Sequence, residues 1–199
     1  MSDAWDLGAV LRTQSAAQPQ RYALIMLNTP VAQHLKSLFC ILWRRASVRI
    51  CADGGANRLL ALVGEDDAAW QTLPLPEQIC GDLDSLDAST REFFSARGVP
   101  IVHIPSQYAT DLQKGIQVIE DIEGDADAFE LVIFGGLSGR LDQSMHTLHV
   151  LWQLAPGVPV MPMVTEPCAQ DATMPRGNAL RKRAHALVIS SERITLSFT

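Results

Sequence analysis

Five aspartates stand where short apolar runs end or amphipathic ones begin. Asp53 follows the run 48–52 and leads into Gly54 and Gly55. Asp82 and Asp84 follow the run 78–80, within Gly81-Asp-Leu-Asp-Ser85. Asp111 comes after Thr110, just past the run 99–104, and Asp142 comes after the glycine loop that closes the run 129–134. Carboxylates brought together repel one another unless a cation lies among them. Mg²⁺ is a hard ion that prefers carboxylate and phosphate oxygens. The pattern therefore points to magnesium-dependent chemistry on a nucleotide polyphosphate.

The glycines suit that chemistry. Gly54, Gly55, Gly81, Gly135, Gly136 and Gly139 allow close approach of backbone to a ligand. The N–H groups of the helices that follow favour an anionic phosphate. Arg140, two residues before Asp142, offers a planar fork for phosphate oxygens. Each feature has an ordinary reading as well. Asp-Gly is common turn chemistry, and an aspartate at a helix start complements the helix dipole. Their joint appearance at successive strand ends gives the set its weight. A Gly-x-x-x-x-Gly-Lys-Ser/Thr phosphate loop is absent, and none of the four cysteines forms a Cys-x-x-Cys pair.

The elements that must position these residues follow from periodicity. Runs 22–27, 48–52, 78–80, 99–104 and 129–134 read as strands. Between them, 31–45, 56–63, 91–97 and 111–122 read as helices, with Ser89 as the N-cap of the third and Gly98 as its stop. A last helix carries Leu141, Met145, Leu148 and Trp152 on one apolar face. Strands alternating with helices imply an α/β fold with a mostly parallel sheet sandwiched by helices, Rossmann-like. Ligands of such sheets sit beyond the carboxyl ends of the strands.

Residues 1–20 read as a mobile lead-in, 21–155 as the α/β catalytic domain, and 156–199 as a Pro-rich segment with two short strand-like runs. The cluster Arg181-Lys182-Arg183 reads as a solvated loop. Cys51 and Cys80 read as small buried hydrophobes. The net charge of −6 argues against nucleic acid as a partner. Without a secretory signal pattern or an apolar run of membrane-spanning length, the expectation is a cytoplasmic protein.

Four segments carry a family resemblance. Ala52-Asp-Gly-Gly-Ala-Asn-Arg-Leu59, Gly81-Asp-Leu-Asp-Ser85, Thr110-Asp-Leu-Gln-Lys114 and Gly135-Gly-Leu-Ser-Gly-Arg-Leu-Asp-Gln143 resemble, in order and spacing, the thiamine pyrophosphokinases. The resemblance covers roughly residues 22–154. It implies transfer of a pyrophosphoryl group from ATP to the thiamine hydroxyl, with Mg²⁺, in a homodimer. It implies metal and catalytic roles for Asp82, Asp84 and Asp111, a catalytic role for Asp142, and ATP or phosphate contacts for Asp53, Gly54, Gly55, Gln107, Gly135, Gly136 and Arg140. Either Asp84 or Asp111 would take the alcohol proton. The family continues into a C-terminal β domain that completes the thiamine pocket. Residues 187–198 resemble the first strands of that domain, so 156–199 reads as an incomplete remnant of it. The alternative reading is a nucleotide-binding, dimerising fragment without turnover. A magnesium phosphohydrolase on the same carboxylates is a third.

Overall fold

The computed structural model describes residues 21–106, 108–137, 140–157, 180–190 and 195–198. Seven strands form one sheet: β1 (Tyr22–Met26), β2 (Val48–Ala52), β3 (Gln78–Gly81), β4 (Ile101–His103), β5 (Glu130–Phe134), β6 (Ala186–Ile189) and β7 (Thr195–Phe198). Their order across the sheet is β4-β3-β2-β1-β5-β6-β7. The first six are parallel, and β7 runs antiparallel to β6. The chain winds outward from β1 to β4, then returns to place β5 on the other side of β1. Neighbouring connections leave in opposite directions there, and this opens a crevice at the carboxyl ends of β1 and β5.

Alternation along β1 explains the layers. Tyr22, Leu24 and Met26 point to one face and Ala23 and Ile25 to the other, all buried. The first face packs against α1 (Lys36–Arg45), α2 (Gly55–Val63) and α4 (Ala88–Ala96), through Phe39, Trp43, Leu59 and Phe94. A short helix, α3 (Asp67–Trp70), lies between α2 and β3 in the chain. The second face packs against α5 (Asp111–Glu123) and α6 (Leu141–Leu154), through Ile116, Ile119, Val150 and Leu151. Cys51 and Cys80 are buried in the sheet, as expected of small apolar groups. No described helix is long and apolar enough to cross a membrane.

The expected α/β architecture holds, with several local corrections. Part of the first predicted helix is a separate 3-10 turn, Gln33–Leu35. The N-cap of α4 is Asp87, not Ser89, so the helix starts one turn earlier than the apolar spacing suggested. The buried residues of α6 are Thr147, Val150, Leu151 and Leu154. Leu141, Met145 and Trp152 of the predicted apolar face are instead exposed, at 76%, 58% and 42%. The helix carries two apolar stripes, and its position beneath the sheet selects only one.

Arg181-Lys182-Arg183 is not a solvated loop. The Arg183 side chain is fully buried and pairs with Glu123, which is also fully buried, while also donating to the Phe129 carbonyl at 2.6 Å. Arg181 donates to the carbonyls of Gly124 and Ala126, capping the C-terminal end of α5. These bonds set the approach of the following strand, so that β6 pairs in register with β5. The strand-like runs after residue 185 thus extend the α/β sheet at its edge.

Candidate active site

The loop between β2 and α2 begins with backbone strain. Asp53 has φ +46°, a left-handed conformation that aspartate tolerates better than most residues. Its N–H donates to the Cys80 carbonyl at 2.8 Å, which ties it to the end of β3. Its carboxylate accepts the Ser85 N–H at 3.2 and 3.3 Å. Asn57, in the first turns of α2, donates to the Ser85 carbonyl at 2.7 Å and accepts the Asp87 N–H at 3.1 Å. Two side chains from one motif therefore hold the Gly81–Asp87 loop in place.

Gly81 joins the two loops. Its φ is +150°, and a Cβ there would lie 2.9 Å from the Asp53 Cβ and 3.1 Å from Asp111 Oδ1. Only glycine lets the strand end pass between those carboxylates. Asp111 comes from the first turn of α5, where Thr110 and Gln113 form a capping box; the Thr110 N–H donates to Gln113 Oε1 at 3.1 Å. Asp53, Asp82 and Asp111 each offer an oxygen, and these oxygens lie within 4.8 Å of one another. Ligand oxygens of one octahedral Mg²⁺ are about 3.0 Å apart when adjacent and about 4.2 Å when opposite, given metal–oxygen bonds of about 2.1 Å. The donor set is all hard oxygen and fits a divalent cation once the carboxylates close toward it.

Lys114 lies beside these carboxylates. It is 1% exposed, and its Nζ is 3.4 Å from Asp111 Oδ1 and 3.5 Å from Asp82 Oδ2. The Asp111 pKa is raised, chiefly by burial and then by the Asp82 charge, against the opposing pull of Lys114. Burial also pushes the Cys80 thiol up to about 12, so it stays protonated and is no nucleophile.

A cavity of about 650 Å³ opens beside this group at the β1/β5 crevice. That volume suits a small-molecule ligand. Asp82, Asp111 and Lys114 line it from the β3 loop and α5, and Arg140, Asp142 and His146 from α6 and its N-cap. Arg140 and Asp142 are exposed and paired with each other, with Arg140 Nε donating to Asp142 Oδ1 at 3.1 Å. That hydrogen bond holds the Asp142 carboxyl below its ordinary pKa.

The structure brings together some of the expected residues and not others. Asp84 is exposed on the loop, outside the three-carboxylate group, with its N–H 3.4 Å from Asp82 Oδ1. Asp53, expected at a phosphate, takes the third place in that group. Gly136 lines the cavity. The close approaches at Gly54, Gly55 and Gly135 are to the protein itself: a Cβ would meet Asn28, the Met26 carbonyl and Thr29 respectively. These glycines therefore seat the end of β1 against its neighbours. Gln107 lies outside the described residues.

Sequence reasoning missed Asn28, Thr29, Lys114 and His146, all of which line the cavity. Asn28 and Thr29 follow the end of β1, where ligands of such sheets sit. His146 could have been found from its place one turn after Asp142 on the same helix. Its ring is 2.8 Å from Thr110 Oγ1, and burial followed by the neighbouring His149 lowers its pKa.

Comparison with known proteins agrees with the motif pattern. A family described as "Thiamin pyrophosphokinase, catalytic domain" matches residues 39–161. Thiamine pyrophosphokinase 3 of Oryza sativa subsp. japonica is 38% identical over 138 residues, covering 65% of this chain and 50% of that protein. Thiamine pyrophosphokinase 1 of Arabidopsis thaliana is 33% identical over 141 residues, covering 67% and 51%. The chain thus spans about half the length of the curated relatives it matches. The crystal structure of yeast thiamin pyrophosphokinase shares the fold, with a TM-score of 0.63 at 19% identity over 92% of this chain and 62% of that one. With the family match spanning more than half of its residues, this chain belongs to the thiamin pyrophosphokinase catalytic-domain family.

Proposed function

We propose that this chain carries the ATP-binding and phosphoryl-transfer part of a thiamine pyrophosphokinase, forming thiamine diphosphate and AMP from thiamine and ATP. The observation that carries the reading is the convergence of Asp53, Asp82 and Asp111 within 4.8 Å, with Asp82 and Asp111 lining the β1/β5 cavity. Pyrophosphoryl transfer needs positioning and charge neutralisation more than covalent chemistry. The thiamine hydroxyl oxygen bonds to the β-phosphorus of ATP, the bond from that phosphorus to the α,β-bridging oxygen breaks, and AMP leaves with the electron pair.

Asp53, Asp82 and Asp111 would hold Mg²⁺; when bound, it supplies charge neutralisation of the polyphosphate. The chain's own residues do the rest. Asp111, half-buried at the start of α5, and Asp84, exposed on the loop after β3, are the two candidates for the hydroxyl proton. Arg140 would exchange its exposed partner Asp142 for phosphate oxygens, and the freed Asp142 carboxylate faces the same cavity. Gly136 and the neighbouring Asn28 and Thr29 line the same cavity, and the family resemblance would give Gln107 a nucleotide contact. The reading carries a homodimer and a cytoplasmic setting with it.

The test is AMP formation by the purified chain from Mg-ATP, with and without thiamine. Thiamine-dependent AMP is the expected result. Phosphate release without thiamine would replace the reading with a phosphohydrolase. Mg-ATP binding without any turnover would leave the nucleotide half alone.

A further inference from the structure

Lys114 is among the largest fully buried side chains of the molecule, yet it is charged. A lysine taken out of water needs compensating charge or it is strongly disfavoured. Among the described residues, its ionic partners are Asp82 and Asp111, and both are candidate ligands of a divalent ion. Asp111 lies one turn earlier on the same helix and Asp82 on the loop after β3, so the ammonium bridges two separate elements. Asp53, Asp82 and Asp111 with Lys114 leave two net negative charges, which one divalent cation neutralises.

We propose that Lys114 is a positioning residue, the internal counter-cation that holds Asp82 and Asp111 together and limits their repulsion while no divalent ion is bound. Without the lysine, three carboxylates face one another with nothing between them. Their repulsion would push the β3 loop away from the start of α5. A divalent ion would then become necessary for the stability of this edge, rather than only for chemistry. The metal half of this inference rests on the proposed function; the charge-balance half does not.

Thermal unfolding of the full chain tests it, in EDTA and in Mg²⁺ alone. Lys114→Met in EDTA is expected to lower Tm by roughly 5–10 °C, the scale for stranding a partly buried charge partner in a chain of this size. Adding Asp82→Asn to that variant returns the group to two negative charges and is expected to recover much of the loss. If Lys114→Met alone does not fold in EDTA while the double variant does, the assignment stands equally. A double variant no more stable than Lys114→Met would overturn it, because packing rather than charge would then be the role of the lysine. Mg²⁺ is expected to stabilise Lys114→Met more than the unsubstituted chain. Recovery by Asp82→Asn with no response to Mg²⁺ in either protein would keep the lysine assignment and sink the divalent-ion reading instead.

Discussion

Asp82 and Asp111 stand half-buried around a fully buried lysine, whereas Asp142, which lines the same cavity, is exposed and paired with an equally exposed arginine. The two walls use the same residue types under different dielectric conditions. On the sheet side, charges lie between packed strands and a helix start, so their positions are fixed by the fold and their interactions are weakly screened. On the α6 side, the charges sit in water, where an ion pair contributes little stability and exchanges partners readily. The fixed wall suits a bound cation. The exchangeable wall suits a substrate that must enter and leave.

Substitutions can break or sharpen this contrast. The largest effect is expected from Asp111→Asn, which should cut thiamine-dependent AMP formation by about 1,000-fold, the scale of losing charge stabilisation in the transition state. The same change should raise Tm in EDTA, because burial already disfavours the charged form of Asp111. The sign follows from linkage: a carboxyl whose folded pKa is raised opposes folding while ionised, and an uncharged isostere removes that opposition. A fall in Tm together with retained turnover would remove Asp111 from the fixed wall.

Gly81→Ala comes next. Its Cβ would meet Asp53 and Asp111 in a backbone conformation unfavourable to alanine. A loss of roughly 2–3 kcal/mol in denaturant unfolding is expected, from strain and overpacking together. An unchanged midpoint would mean that the β3 end can shift, and the wall is not fixed.

Arg140→Ala should act on binding alone. About a tenfold rise in the KM for ATP is expected, from the loss of one charge-assisted phosphate contact, with Tm unchanged. A drop in Tm would show that the Arg140–Asp142 pair is structural. The smallest effect belongs to Met145→Ser on the exposed stripe of α6, which should leave the unfolding free energy of the isolated chain within about 0.5 kcal/mol. A larger loss would mean that this face is covered in solution.

The arrangement of the elements was legible because it is local. Apolar runs of strand length and glycine at their ends act over a few residues, and the strands of the sheet formed where those signals stand, while helix starts shifted by up to a turn. The aspartates at strand ends were legible for the same reason, since a parallel sheet delivers all its carboxyl ends to one edge.

Which of them meet was not legible, because that depends on strand order and loop direction. The order β4-β3-β2-β1-β5 places β2 beside β3, so Asp53 reaches the Asp82 loop, while the turn at Leu83, with φ +63°, leaves Asp84 in solvent. The buried face of α6 was decided by its docking against the sheet, and the burial of Arg183 by the presence of Glu123 at the end of a helix sixty residues earlier. Sequence alone determined the kinds of element and the chemistry at their ends, since those follow from short-range sterics and hydrogen bonding. Tertiary structure alone decided which charges are buried together, including Lys114 against Asp82 and Asp111, because charge energetics depend on distance and dielectric rather than on spacing along the chain.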